Sequence, residues 1–66
     1  MSTYKGLPYY EGLTEGGKLQ YVVWMKDGDS TYPVALTTEN SVVGFLSSLT
    51  DREREQVVTD PTTDKD

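Results

Sequence analysis

A chain of 66 residues with neither cysteine nor histidine cannot close a disulfide, hold zinc through thiolate or imidazole, or assemble a Ser/His/Asp or Cys/His triad. Its 6 Lys and Arg stand against 11 Asp and Glu, a formal net charge of −5. That balance disfavours nucleic-acid phosphates and anionic membranes as partners and favours another protein, a basic one above all.

The chain is long enough for one small domain with a thin core. Residues 1–18 are rich in Tyr and Gly. They contain no signal-like apolar run, and no segment reaches the ~20 apolar residues of a membrane helix, so a soluble, cytoplasmic protein is expected. PYYEGL (8–13) has the pattern of a strand, with Thr14-Glu15-Gly16-Gly17 as its turn into Leu19.

Residues 19–37 hold the densest β pattern. Tyr21, Val23 and Met25 alternate with Val22, Trp24 and Lys26, and Tyr32, Val34 and Leu36 alternate with Thr31, Pro33 and Ala35. Asp27-Gly28 between the runs is a hairpin signal. A two-residue loop there pairs Lys26 with Asp29, but it also makes Val22:Pro33 a hydrogen-bonded pair, and proline has no N–H to give. A longer loop, from Asp27 to Ser30, sets Trp24 against Pro33 and Met25 against Tyr32. The two registers differ by two residues and agree on faces. Either way Tyr21, Val23, Met25, Tyr32, Val34 and Leu36 share the core side, and Pro33 marks an edge strand.

Residues 38–59 have helical character. Val42, Phe45, Leu46 and Leu49 follow the i, i+3, i+4, i+7 spacing of an apolar stripe. Thr37 or Thr38 is the expected N-cap, with Glu39 near the positive end of the helix dipole. Thr50 and Glu53 have capping-box spacing. Either a second helix restarts at Asp51 after a kink at Ser47-Ser48, or one helix runs through and aligns Leu49, Glu53 and Val57.

LTDRERE (49–55) also resembles the start of the helix-turn-helix unit of quorum-sensing transcription factors. In that family a turn and a basic recognition helix follow. Here residues 56–66 supply neither, so DNA reading is not carried over and no direct nucleic-acid contact is expected.

The other candidate chemistry is thin. DGDSTY (27–32) has fragments of a calcium loop without its later glutamate, and no cofactor or metal is expected. Asp51, Glu53 and Glu55 alternate with arginines on an exposed face, which favours ordinary ionisation over the raised pKa that acid–base catalysis needs.

The aromatics carry the functional expectation. Trp24 and Val22 lie on the sheet face opposite the core, and one helical segment cannot cover both faces. Either Tyr9 and Tyr10 wrap over Trp24 as a second small core, or these residues form a protein-binding patch.

The expected fold is α+β: a small antiparallel β-meander of two to three strands packed against one C-terminal helix or a kinked helix pair. The domain is expected to span 1–59, with a disordered acidic tail at 60–66. The expected function is that of a non-enzymatic protein-binding module. Phage-type accessory and inhibitor proteins are small and acidic in this way, and the expected partner is a basic, nucleic-acid-binding protein. The expected contact residues are Tyr9, Tyr10, Val22 and Trp24, with Asp51, Glu53 and Glu55 facing basic groups. The competing expectation is a structural protein that homo-oligomerises through a sheet edge or the aromatic face.

Overall fold

The computed structural model describes residues 2–61. Five strands and two short helices follow in the order β1 (Ser2–Tyr4), β2 (Leu7–Leu13), β3 (Leu19–Asp27), β4 (Ser30–Leu36), α1 (Glu39–Ser47), α2 (Asp51–Arg54) and β5 (Val57–Val58). The fold is α+β, as expected, but the antiparallel meander is larger than two to three strands. Its order is β1-β2-β3-β4, with β5 also on β3.

Each hairpin has a local cause. β1 and β2 are joined by Lys5-Gly6, both at positive φ (53° and 81°), with Tyr4 opposite Leu7. Positive φ at both central residues is the type I′ condition, usually met by Asn-Gly. The β2–β3 loop is closed by the Thr14 N–H donating to the Lys18 carbonyl at 2.8 Å, with Gly17 at φ 82°.

The β3–β4 hairpin resolves the proline problem. Trp24 faces Pro33 and Met25 faces Tyr32, the second of the two expected registers. Pairing then continues to Asp27:Ser30, which leaves only Gly28-Asp29 in the loop. Gly28 alone has positive φ (64°), the mark of a type II′ turn. With Asp27:Ser30 hydrogen-bonded, alternation makes Trp24:Pro33 a non-hydrogen-bonded pair. The proline nitrogen therefore faces outward from β4, where no ladder bond is lost.

β3 is the central strand. β4 lines one of its edges, while β2 (Tyr10 to Leu13) and then β5 share the other. β2 leaves β3 beyond Tyr10:Val22, and its first half pairs with β1 instead. β5 takes up the vacated edge, with Val58 against Trp24, Val57 against Met25, and the Lys26 N–H donating to the Gln56 carbonyl at 2.8 Å. Val57 and Val58, expected inside a helix reaching residue 59, are therefore strand residues. An open edge on β3 and two β-branched side chains outweigh the local helical pattern.

The helical region is two helices. Thr38 caps α1, accepting from the Ser41 N–H at 3.1 Å. Thr50 opens α2 with a complete capping box: its Oγ1 accepts from the Glu53 N–H at 3.2 Å, and its own N–H donates to Glu53 Oε1 at 2.9 Å. The stripe on α1 covers one sheet face. Val23 and Val42 are fully buried, Leu46 nearly so, and Tyr9, Tyr21, Met25 and Leu49 complete the core. Burying each such aliphatic side chain contributes roughly 1.5–3 kcal/mol.

Phe45 packs against this cluster from a half-buried position. Tyr32, expected in the core, is on the right face but 45% exposed, near the hairpin tip. Of the tail expected at 60–66, residues 62–66 lie outside the described residues. Asp60 and Pro61 are half-buried, and the Asp60 N–H donates to the Tyr10 hydroxyl at 2.8 Å.

Candidate protein-interaction face

Strand alternation decides what the sheet shows on the side away from α1. Two cross-strand rows lie at its centre. One is Tyr10, Val22 and Ala35, and the other is Val58, Trp24 and Pro33. Tyr10, Val22, Trp24 and Val58 are half-buried among themselves, while Pro33 and Ala35 are exposed. Among the described residues, α1 lays its buried Val42 and Leu46 into the core on the opposite side of the sheet, and α2 buries no residue. The molecule is 17 Å across its shortest extent, the depth of one sheet and one helical layer.

The polar margins of the face are as informative as its centre. Gln20 and Lys26 continue the β3 alternation on this side, and Thr31 does so on β4. No strand residue on this face is a carboxylic acid. The Tyr10 hydroxyl accepts from the Asp60 amide, which holds the chain after β5 at one border. Among the described residues there is no enclosed pocket and no group of three or more acidic side chains placed to hold a metal ion. What this side offers is an apolar surface with a half-buried centre and Pro33 and Ala35 exposed beside it.

The structure brings together three of the expected contact residues, Tyr10, Val22 and Trp24. It separates Tyr9 from them. Tyr9 is buried on the α1 side, in edge-to-face contact with Tyr21 at 6.1 Å between centroids and 63° between planes. Its hydroxyl donates to Glu39 Oε2 at 3.0 Å. That hydrogen bond, with burial and the Glu39 charge adding to it, raises the Tyr9 pKa above the usual phenol value. Neighbours along a strand face opposite ways, so Tyr9 and Tyr10 cannot both cover Trp24.

Asp51, Glu53 and Glu55 form another surface. α2 leaves the core at Leu49 and reaches the sheet edge at Gln56, so its acids stand beside that edge rather than on the strands of the open face. All three are exposed. Glu53 is engaged in the capping box, and Asp51 pairs with Arg54 at 3.3 Å.

Two features escaped the sequence reading. Val58 joins the Trp24 row only because β5 exists. Leu13 and Leu19 sit opposite one another and are 70% and 51% exposed, on the α1 side at the β2–β3 turn. The turn signal at residues 14–17 placed them at a hairpin end, but the reach of α1 was not legible.

Comparison with family models, curated proteins and solved structures gives no match to this chain. No helix among the described residues is long and apolar enough to cross a membrane.

Proposed function

We propose that this chain is a small, non-enzymatic protein-binding module that meets its partner through the sheet face centred on Trp24. The single observation behind this reading is the pair of apolar rows, Tyr10-Val22-Ala35 and Val58-Trp24-Pro33, on the sheet face opposite the core, with Pro33 and Ala35 exposed. Tryptophan and tyrosine on a flat apolar surface are the side chains that most often anchor protein contacts.

The net charge of −5 adds the choice of partner. Exposed acids at the β3–β4 tip (Asp27, Asp29), on α2 (Asp51) and at its C-cap (Glu55) surround the contact rather than fill it. Charges in such positions govern encounter rate and partner choice more than affinity. The partner proposed is a basic protein with an apolar patch, such as one that binds nucleic acid, in the cytoplasm. An accessory or inhibitor role of the phage type fits the size and charge.

Affinity capture from a lysate of the source cells, at physiological salt, tests this. The wild-type chain is expected to retain a specific protein that Trp24→Ala loses and that Leu13→Ser keeps. Equal retention by wild type and Trp24→Ala, or no specific retention by either, contradicts the proposal.

A further inference from the structure

We infer that, without its partner, the protein pairs two copies face to face through the two apolar rows, as a weak two-fold dimer that stores the Trp24 surface. This rests on the same reading of the face as a contact surface, and adds its occupant in the isolated protein.

Charge is the first argument. A chain of net charge −5 repels its own copies over most of its surface. The open sheet face is the exception, because its strand residues include no carboxylic acid and Lys26 is its one basic residue. The acids stand around this face rather than on its strands, with Asp60 at its Tyr10 border. A second copy finds an apolar surface like its own.

Symmetry is the second. Two sheets stacked face to face can be related by a two-fold axis along the strands or across them. An axis along β3 sets Lys26 over Lys26, which is unfavourable. An axis across the strands, midway between the two rows, sets the Trp24 row of each copy over the Val22 row of the other. Lys26 then lies over Gln20 of the second copy, and the two lysines stand at opposite ends of the contact. The structure is therefore self-complementary in one arrangement, with the sheets about 10 Å apart as in a β-sandwich.

Area is the third. β3 has 9 residues, so the face is about 30 Å long, and three strand positions give it a width of about 15 Å. Two such faces bury on the order of 1,000 Å² in total, the lower limit for a specific interface and well short of an obligate dimer. The dimer should thus be reversible, with a dissociation constant in the micromolar range or weaker. A partner then competes with the second copy for one surface.

Sedimentation equilibrium of the full chain from about 1 μM to about 1 mM, with Trp24 fluorescence over the same range, tests the pairing. Trp24 is the chain's single tryptophan, so its emission reports this face alone. The expected result is a reversible monomer–dimer equilibrium, with emission moving to shorter wavelength as dimer forms. Val22→Lys should weaken it at least tenfold. Ala35→Glu, at an exposed position that leaves the core untouched, should do the same, while Leu13→Ser leaves it unchanged.

A monomer throughout the range, association beyond two copies, or a dimer that survives both Val22→Lys and Ala35→Glu overturns the inference. A strict monomer that still captures a partner in a Trp24-dependent way overturns the pairing alone and leaves the contact face standing.

Discussion

Leu46 and Trp24 are both large apolar residues, and the fold uses them in opposite ways. Leu46 is 1% exposed and touches the core from α1. Leu46→Ala should cost about 2–5 kcal/mol, the usual range for a buried leucine whose cavity cannot fully collapse. Trp24 keeps part of its surface in water, on the sheet face opposite the core cluster. Trp24→Ala should therefore cost only about 1–2 kcal/mol, less than the 3–5 of a core tryptophan. Urea denaturation of both variants checks the contrast, and an equal loss would make Trp24 a structural residue. Tyr9 adds a pH dependence at the same scale. Its raised pKa means that the folded state holds the phenol proton more tightly than the unfolded state does. The contribution is complete below the ordinary phenol pKa near 10 and is lost as pH rises through the higher folded value. Wild-type stability should fall in that alkaline window, and Tyr9→Phe should flatten the fall. A profile identical in both proteins would show that the Tyr9–Glu39 bond is not its source.

Among the elements, α2 is the clearest case of local control. It has four residues and buries none of them, so its cap does much of the work that packing does for α1. Thr50→Ala removes the side-chain half of the box, leaving the Glu53 N–H without its acceptor while the backbone N–H of residue 50 keeps Glu53 Oε1, at a cost of about 1 kcal/mol. Amide exchange over residues 51–58 should then quicken roughly fivefold, because α2 buries none of its residues and β5 pairs with β3 over two residues only, so the two open together. Unchanged exchange would mean that β5 pairing holds the segment by itself. The Thr50–Glu53 spacing was legible as a cap because its chemistry is local. β3 and β4 were legible for a similar reason, since alternation fixes faces even where register is uncertain. β1 and β5 were not. Lys5-Gly6 lacks the usual turn signature, and Val57-Val58 becomes a strand only because β2 abandons the β3 edge beyond Val22. That cause lies in another part of the chain. The candidate site divides along the same line. Val22 and Trp24 were placed by alternation, Tyr9 and Tyr10 needed the β2 register, and Val58 needed β5.

For the molecule as a whole, the fold completes one core and leaves the second sheet face without a helix. Pro33 limits what else can join. Its outward nitrogen interrupts the row of donors on the free edge of β4, so strand addition there lacks its middle hydrogen bond. The proposed contact therefore lies on the face around Trp24 rather than on the β4 edge. On the proposed reading, acid at the hairpin tip and around α2 favours approach by a basic protein, and the apolar rows supply the contact. Fluorotryptophan in place of the single tryptophan provides a direct probe, because its fluorine resonance arises at one position only. The measurement is the fluorine NMR spectrum of the labelled chain as the captured partner is added. The account predicts that the Trp24 resonance moves or broadens in step with complex formation and saturates with it. A resonance that stays unchanged while the complex forms would contradict the account.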